Sequence, residues 1–264
     1  MRYVCLFLFA FTVALPPLLL LYIGTKEPGI NLQSALAGDW TLEPFRRLFL
    51  GDDGAVERFR ESFSRGLIYA TLAAAGATVL SIIYATWISA WRRVTAVGFS
   101  FTLVTLVLLP QTYLIIPTLF AVQNSTYSLS QGTIIIFLLI IVVIPLCSWI
   151  YHIVAGDKIR EIHKKCALDG VNIARLMKFV VAETKAELIV VFMFGWAIAW
   201  GNYLISFSMG DQGSYTALVQ ITTFTSNLGR DWAMICAAGF LVALPSILIG
   251  SIVGFVLVYR SGRG

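Results

Sequence analysis

The feature that most constrains this chain is the way its charges are separated along the sequence. No Asp, Glu, Lys or Arg lies between Val94 and Gly156, and none occurs in residues 188–209. Between these stretches, residues 156–187 carry seven Lys or Arg and five Asp or Glu. A bilayer is crossed by about 20 consecutive apolar residues, so each uncharged stretch is long enough to cross one. The pattern predicts a membrane protein with a polar segment between two apolar blocks.

The overall composition agrees with this prediction. The chain is 58% hydrophobic and 12% charged, whereas soluble domains are about 25% charged. Its net charge of +5 is not accompanied by a basic patch interleaved with exposed aromatic residues, so we expect no nucleic-acid partner. The cysteines lie in apolar runs or in the polar segment without metal-ligand spacing, and reduced thiols are predicted. They are Cys5, Cys147, Cys166 and Cys236.

The apolar runs predict a single all-α polytopic membrane domain over residues 1–264 with six spanning helices. The first run follows a basic residue, as a signal peptide does, but no small-x-small cleavage site follows it and its length suits an uncleaved span. Residues 24–64 are expected to form a loop with one or two short helices. The predicted spans are about 3–23, 66–91, 95–122, 132–153, 188–207 and 232–259.

The distribution of basic residues predicts the orientation of these spans. Six spans place both termini on one side, together with residues 156–187. That side then carries 12 of the 19 Lys and Arg, and the other side carries nine of the 14 Asp and Glu. Because cytoplasmic loops are enriched in Lys and Arg, both termini and residues 156–187 are predicted to be cytoplasmic. Residues 24–64 are predicted to be extracytoplasmic.

The polar segment has an internal helical pattern. Ile159, Ile162 and Cys166 recur at helical spacing, which predicts a short amphipathic helix over 157–168, lying across the mouth of the bundle. Gly170 supplies a helix stop and Asn172 an N-cap. A second helix then carries apolar residues at i, i+3, i+4, i+7 and i+8, namely Ile173, Leu176, Met177, Val180 and Val181. Such a helix–turn–helix unit can dock on the spans and offer a charged ridge to a soluble partner.

This segment resembles the coupling loop of the permease subunits of binding-protein-dependent ABC importers. The family pattern is Glu-Ala-Ala, three residues and Gly, with a Leu-Pro pair further on. The chain keeps Asp169 and Gly170, but has Lys164-Lys165-Cys166 at the triplet and Ala182-Glu183 at the pair. Lys164 stands where the family has an acidic residue. This inversion indicates a matched ATPase, stronger coupling through a second permease chain, or a degenerate member.

Two further segments resemble the carbohydrate-importer branch, which includes the maltose importers. Trp200-Gly201-Asn202-Tyr203 is similar to its Trp-Asn-acidic-aromatic cluster, and residues 41–49 are similar to its extracytoplasmic segment. The resemblance implies a type I importer permease working with an ATPase dimer, a second permease subunit and an extracytoplasmic binding protein. It also implies a sugar-like substrate and the cytoplasmic membrane of a bacterium or archaeon. The ATPase-coupling residues it implies are Asp157, Arg160, Glu161, Lys164, Lys165, Asp169 and Gly170.

No catalytic motif is present in the sequence. It has no phosphate-binding Gly-x-x-x-x-Gly-Lys-Ser/Thr, so we expect no ATP hydrolysis by this chain, no enzyme activity and no cofactor of its own. His152 and His163 have no second ligand at metal spacing, so no metal is expected. The spans lack Asp, Glu, Lys and Arg at depth, which proton- or ion-coupled carriers usually need.

Uncharged polar and aromatic residues remain as candidates for a solute path. A neutral polyol is bound by hydrogen bonds and aromatic faces, although Trp and Tyr near span ends also serve as interface anchors. The alternative function is a stand-alone facilitator, a secondary carrier or a structural membrane partner. Gly250-x-x-x-Gly254 predicts helix packing within or between chains. The candidate path residues are Gln111, Thr112, Tyr113, Trp196, Trp200, Asn202 and Tyr203.

Overall fold

The computed structural model describes residues 2–27, 32–89, 111–123, 129–226 and 229–261. These residues are helical apart from loops, one 3₁₀ turn (Ile221–Thr223) and a pair of antiparallel two-residue strands, β1 (Thr225–Ser226) and β2 (Gly229–Arg230). The α-helices are α1 (Arg2–Gly24), α2 (Leu32–Ala37), α3 (Glu43–Leu50), α4 (Gly54–Ile88), α5 (Thr112–Gln123), α6 (Gln131–Leu168), α7 (Ile173–Glu183), α8 (Lys185–Trp200), α9 (Leu204–Met209), α10 (Ala217–Gln220) and α11 (Trp232–Ser261).

Three of the described helices are long and apolar enough to cross a membrane, as expected of a membrane-embedded protein. They are Gly54–Ile88, Gln131–Leu168 and the Trp232–Ile252 part of α11. Shorter apolar helices are Phe11–Gly24 and Thr112–Val122. The all-α class is confirmed to this extent, and the full set of six spans stays a prediction. Residues 90–110, which include residues 95–110 of the predicted third span, lie outside the described residues.

One compact unit combines residues 1–66 with residues 215–264. Here α1 packs along α11, and a Cβ atom on Gly24 would lie 2.9 Å from the Cα atom of Ala237. Phe45 on α3 meets Phe240 on α11 edge to face, with ring centroids 6.2 Å apart. The predicted loop thus contains two short helices, α2 and α3, and α3 is packed on an apolar helix.

The second compact unit covers residues 67–214. Three small residues of α4 are fully buried, namely Ala73, Ala74 and Ala77. A Cβ atom on Gly195 of α8 would lie 2.8 Å from Cys147 Sγ on α6 and 3.8 Å from the Cα atom of Ala74 on α4. Three helices therefore meet at Gly195, where only a hydrogen atom fits.

The helices of the second and fourth spans extend beyond the predicted spans, and the prediction of a separate helix over 157–168 was wrong. Helix α4 begins at Gly54 and so takes in the end of the predicted loop 24–64. The predicted span 132–153 and the predicted short helix 157–168 form one helix, α6, which starts at the Ser130 cap. The reason is that residues 153–157 contain no proline, and the single Gly156 costs only about 1 kcal/mol in a helix. The polar helix continues the span instead of lying across it.

The predicted fifth span, 188–207, is also divided. Helix α8 ends at Trp200, and α9 begins at Leu204 after Gly201. Asn202 Oδ1 accepts a hydrogen bond from the Ile205 backbone N–H at 3.1 Å, which stabilises the new helix start. A helix interrupted in this way exposes unpaired backbone groups that a neighbouring side chain has to satisfy.

Two smaller predictions have clear outcomes. Cys147, Cys166 and Cys236 are free and buried, in agreement with reduced thiols. Within the part of the chain that is described, no atom lies within 4 Å of a Cβ position on Gly250 or Gly254. Packing of this motif inside the described chain is therefore not observed, and packing between chains stays a prediction.

Candidate functional site

The candidate site has two parts. The first is the charged hairpin, which we define as residues 157–187. It consists of the end of α6, a turn, α7 and the start of α8. Ile159 and Cys166 on α6 are buried, as are Leu176 and Val180 on α7, and the two helices are in contact. The apolar face predicted from helical spacing is confirmed at these four positions.

The turn of the hairpin follows the prediction closely. Gly170 has a φ of 63°, in the left-handed region that favours glycine. The backbone N–H of Val171 donates to the Cys166 carbonyl oxygen at 2.9 Å, and Gly170 N–H donates to the Ala167 carbonyl oxygen at 3.4 Å. These two bonds form a Schellman motif. Asn172 Oδ1 accepts from Ala174 N–H at 3.4 Å, so Asn172 is the N-cap of α7.

Three of the predicted coupling residues share a cleft with residues of α7. Glu161, Lys165 and Asp169 line this cleft, which has a volume of about 480 Å³. Lys158 and Glu183, which were not predicted, line it as well. The other predicted coupling residues do not line the cleft: Asp157 and Lys164 are exposed on α6, Arg160 is half-buried there, and Gly170 forms the turn.

One ion pair orders the exposed face of α6. Lys165 Nζ lies 2.8 Å from Glu161 Oε1, one helical turn away, and both side chains are exposed. The hydrogen bond from Lys165 lowers the pKa of Glu161, and the same bond raises the pKa of Lys165. Both groups therefore stay charged around neutral pH.

Apolar side chains at the hairpin turn are exposed beside these charges. Leu168 is 89% exposed and Ile173 is 62% exposed, and they flank the Gly170 turn. Val181 is exposed too, so the prediction that Ile173 and Val181 belong to the buried face was wrong. A mixed surface of exposed apolar and charged side chains is typical of a protein-binding site. The sequence offered one signal for it, because Leu168 immediately precedes the Asp-Gly turn.

Polar contacts hold the corner where α7 meets α8. The Tyr151 and Thr184 hydroxyl oxygens are 2.7 Å apart, and both residues are fully buried. Lys158 Nζ donates to the Glu183 carbonyl oxygen and lies 3.9 Å from Glu187 Oε1. Sequence reasoning did not identify these partners, because each pair joins α6 to residues far along the chain.

A second group of predicted residues lies around the α8–α9 break. We call it the polar cluster, and it consists of Gln111, Trp196, Trp200, Asn202 and Tyr203. Asn202 Nδ2 donates to Gln111 Oε1 at 3.1 Å, while Asn202 Oδ1 accepts from Ile205 N–H. Asn202 is only 8% exposed. Both ends of its amide are thus used to join the start of α5 to the start of α9.

The aromatic candidates divide into buried and exposed groups. Trp196 and Trp200 are buried and stacked, with ring centroids 5.3 Å apart, and Trp196 Nε1 donates to Thr71 Oγ1 at 3.1 Å. Tyr203 stacks on Phe207 at 5.2 Å. Thr112 and Tyr113 are exposed, and Tyr113 reaches 66%. The structure brings Gln111 to Asn202 and Trp196 to Trp200, but leaves Thr112 and Tyr113 outside this cluster.

The described residues contain no group of three or more His, Cys, Asp or Glu side chains placed to hold a metal ion. The candidate site thus has two parts, the charged hairpin and the polar cluster, and their side chains make different kinds of contact. No protein-family model matches the chain, and no curated protein shows a significant match to it.

Proposed function

We propose that this chain is a permease subunit of an ATP-driven ABC importer that moves a carbohydrate or related polyol across a bacterial or archaeal cytoplasmic membrane. ATP is bound and hydrolysed by a separate ATPase dimer. A second permease subunit completes the membrane domain, and an extracytoplasmic binding protein delivers the solute. The charged hairpin is the surface on which the ATPase acts.

The observation that carries this proposal is the form of the charged hairpin. It continues an apolar helix long enough to cross a membrane, so movement of the hairpin is movement of that helix. Its inner face is buried, and its turn is fixed by Gly170 and Asn172. Its outer face presents charges and the exposed Leu168 and Ile173. A rigid element with such a surface suits transmission of force from a soluble partner.

The proposed substrate class rests on different residues. The exposed Thr112 and Tyr113 offer hydrogen-bonding and aromatic groups without a formal charge, which suits a neutral polyol, and Asn202 joins Gln111 before their helix, α5, to the start of α9. Helix α8, which carries Trp196 and Trp200, is broken at Gly201, and irregular backbone at membrane depth is tolerated where it lines a cavity or is buried in protein. The resemblance to the carbohydrate-importer branch supports the same class.

Affinity purification of the tagged full-length chain from native membranes in mild detergent tests the proposal. We expect mass spectrometry to find an ATPase and a second multi-span permease in stoichiometric amounts, and sugars to stimulate ATP hydrolysis by the preparation. Recovery of the chain alone, from membranes in which other ABC assemblies stay intact, contradicts the proposal. That result favours a stand-alone carrier or a structural membrane partner.

A matched pair of variants ties the ATPase to the hairpin. Leu168→Asp places a charge on the exposed turn without disturbing the buried face, and we expect at least about a tenfold loss of ATPase recovery, the equivalent of ~1.4 kcal/mol. Leu50→Asp makes the same chemical change at an exposed position on α3, where Leu50 is 72% exposed, and is expected to leave recovery unchanged. Equal recovery with both variants would place the ATPase contact elsewhere.

A further inference from the structure

The junction of α7 and α8 is a bend in a helix whose hydrogen bonds partly continue. Thr184 has φ −117° and ψ 25°, outside helical values. Its N–H still donates to the Val180 carbonyl oxygen at 3.0 Å, and its carbonyl oxygen accepts from Leu188 N–H at 2.9 Å. Helices α7 and α8 are therefore connected through Thr184, a single non-helical residue, without a loop between them.

Lys158 of α6 contacts the backbone at this bend. In an uninterrupted helix the Glu183 carbonyl oxygen would accept the N–H four residues further on. The Glu183 carbonyl oxygen accepts a hydrogen bond from Lys158 Nζ of α6, and Lys158 Nζ lies 3.9 Å from Glu187 Oε1. A side chain that inserts into the backbone ladder is a recognised cause of a kink.

Tyr151 fixes the same residue from the buried side. The Thr184 hydroxyl donates to the Val180 carbonyl oxygen at 2.6 Å, so it accepts from the Tyr151 hydroxyl at 2.7 Å. Tyr151 and Lys158 lie about two turns apart on one face of α6. Together they hold the bend at two points.

A comparison with α4 separates the effect of Lys158 from that of the hydroxyl bonds. Thr78 and Thr86 donate to the carbonyl oxygens four residues earlier, just as Thr184 does, and α4 continues from Gly54 to Ile88. Ser81 also meets Ser148 across the helix interface at 3.2 Å without ending α4. Hydroxyl bonds of this kind do not end α4, and the contact from Lys158 is the added feature at Thr184.

We propose that Tyr151, Lys158, Thr184 and Glu187 form a corner clamp that makes α7 and α8 move as one body with α6. A displacement of the hairpin then reaches Trp196 and Trp200 on α8. The source of that displacement rests on the proposed function, whereas the clamp itself is a property of this chain alone. Tyr151 and Lys158 are positioning residues in this proposal.

The clamp is tested first in the full chain in lipid nanodiscs. Spin labels at Leu168→Cys and Phe194→Cys, both exposed positions, report the hairpin-to-α8 distance in a background with the native cysteines replaced. We expect one narrow distance distribution in the parent. Tyr151→Phe and Lys158→Met each remove a bond at the bend, and the population outside the parent distance is expected to rise about three- to tenfold. Distributions identical to the parent in both variants overturn the proposal.

Three further variants identify the cause of any change in the distance distribution. Thr184→Ser keeps the hydroxyl and is expected to retain the parent distribution, while Thr184→Val is expected to follow Tyr151→Phe. Thr78→Val removes a similar hydroxyl from α4, where no clamp is proposed, and is expected to have no effect on the distance. Broadening by Thr78→Val as large as by Thr184→Val would mean general loosening and would overturn the clamp.

A second readout connects the clamp to transport. In the complex recovered with its ATPase, Tyr151→Phe, a change at a buried residue outside the charged hairpin, is expected to keep ATP hydrolysis while solute uptake per ATP falls about three- to tenfold, in line with the loosened population. An unchanged uptake per ATP overturns the role of the clamp in transport. If no ATPase is recovered with the parent chain, the proposed function fails, and the nanodisc distances still decide whether the clamp exists.

Discussion

The charged hairpin and the polar cluster use their polar side chains in opposite ways. In the hairpin, Glu161, Lys165 and Asp169 line an open cleft, and the apolar Leu168 projects beside them. In the cluster, the Asn202 amide bonds to Gln111 and to the α9 backbone, and Trp196 bonds to Thr71. The hairpin thus leaves its groups exposed, whereas the cluster uses them to join helices of the same unit.

This difference separates two kinds of evidence for function. A surface that leaves charged and apolar groups exposed has a cost in solution that a partner can relieve. A buried amide with both ends bonded is already satisfied, and its first effect is on stability. Mutations in the cluster should therefore change folding before transport, and mutations in the hairpin should do the reverse.

The largest effect is expected from Gly195→Val, at the point where α4, α6 and α8 meet. A Cβ atom there would lie 2.8 Å from Cys147 Sγ and 3.1 Å from Val143 Cγ1. Overpacking of this kind costs about 3 kcal/mol at the upper end of its usual range. Equilibrium unfolding in mixed micelles measures the loss. Gly250→Val is the control, since no described atom lies within 4 Å of its Cβ position.

Asn202→Ala is expected to cost about 2 kcal/mol, because it leaves the Ile205 N–H and the Gln111 amide without their buried partner. Equilibrium unfolding again measures the effect, with solute binding recorded in parallel. Asn202→Ser keeps a neutral side-chain oxygen that can cap the Ile205 N–H and is expected to lose less stability. Loss of solute binding at unchanged stability would show that Asn202 is a solute ligand and does not act by joining the helices.

The sequence allowed local features of the hairpin to be predicted, but not the contacts between helices. Helical spacing identified Ile159 and Cys166 as buried, and the special conformations of Gly170 and Asn172 follow from residues within a few positions. The bond between Gln111 and Asn202 joins residues 91 positions apart. Periodicity carries no information about such a pairing.

Helix ends were the other features that the sequence did not reveal. The polar residues after 156 were interpreted as a separate helix, yet nothing between 153 and 157 stops α6, so it continues to Leu168. The opposite error occurred at Trp200, where an apolar run was expected to continue and the chain breaks at Gly201. Hydropathy indicates which residues prefer lipid, whereas helix ends depend on backbone partners such as Asn202.

A smaller effect, confined to the hairpin, is expected from Asn172→Ala. Loss of an N-cap costs about 1 kcal/mol, and the amide hydrogens in the first turn of α7 should exchange faster, as measured by hydrogen–deuterium exchange. Asn172→Ser keeps a capping oxygen and serves as the control. Exchange in α8 and α9 should stay as in the parent. If it rises there as well, the hairpin and the cluster are one folding unit, and the contrast between them does not hold.

The smallest effect concerns the exposed Glu161–Lys165 pair. The hydrogen bond from Lys165 lowers the pKa of Glu161, so its contribution is present above the unfolded carboxyl pKa and is lost as pH falls through the folded value. The pKa of Lys165 is raised, so its contribution is present below the unfolded lysine pKa and is lost as pH rises through the folded value.

Exposed pairs contribute little to stability, so Glu161→Gln should leave thermal unfolding unchanged at every pH. Glu161→Gln should nevertheless weaken ATPase recovery around neutral pH if the ATPase binds the hairpin through its charged side chains. A variant that bound the ATPase normally while unfolding earlier would show that this pair, like the cluster, serves the fold.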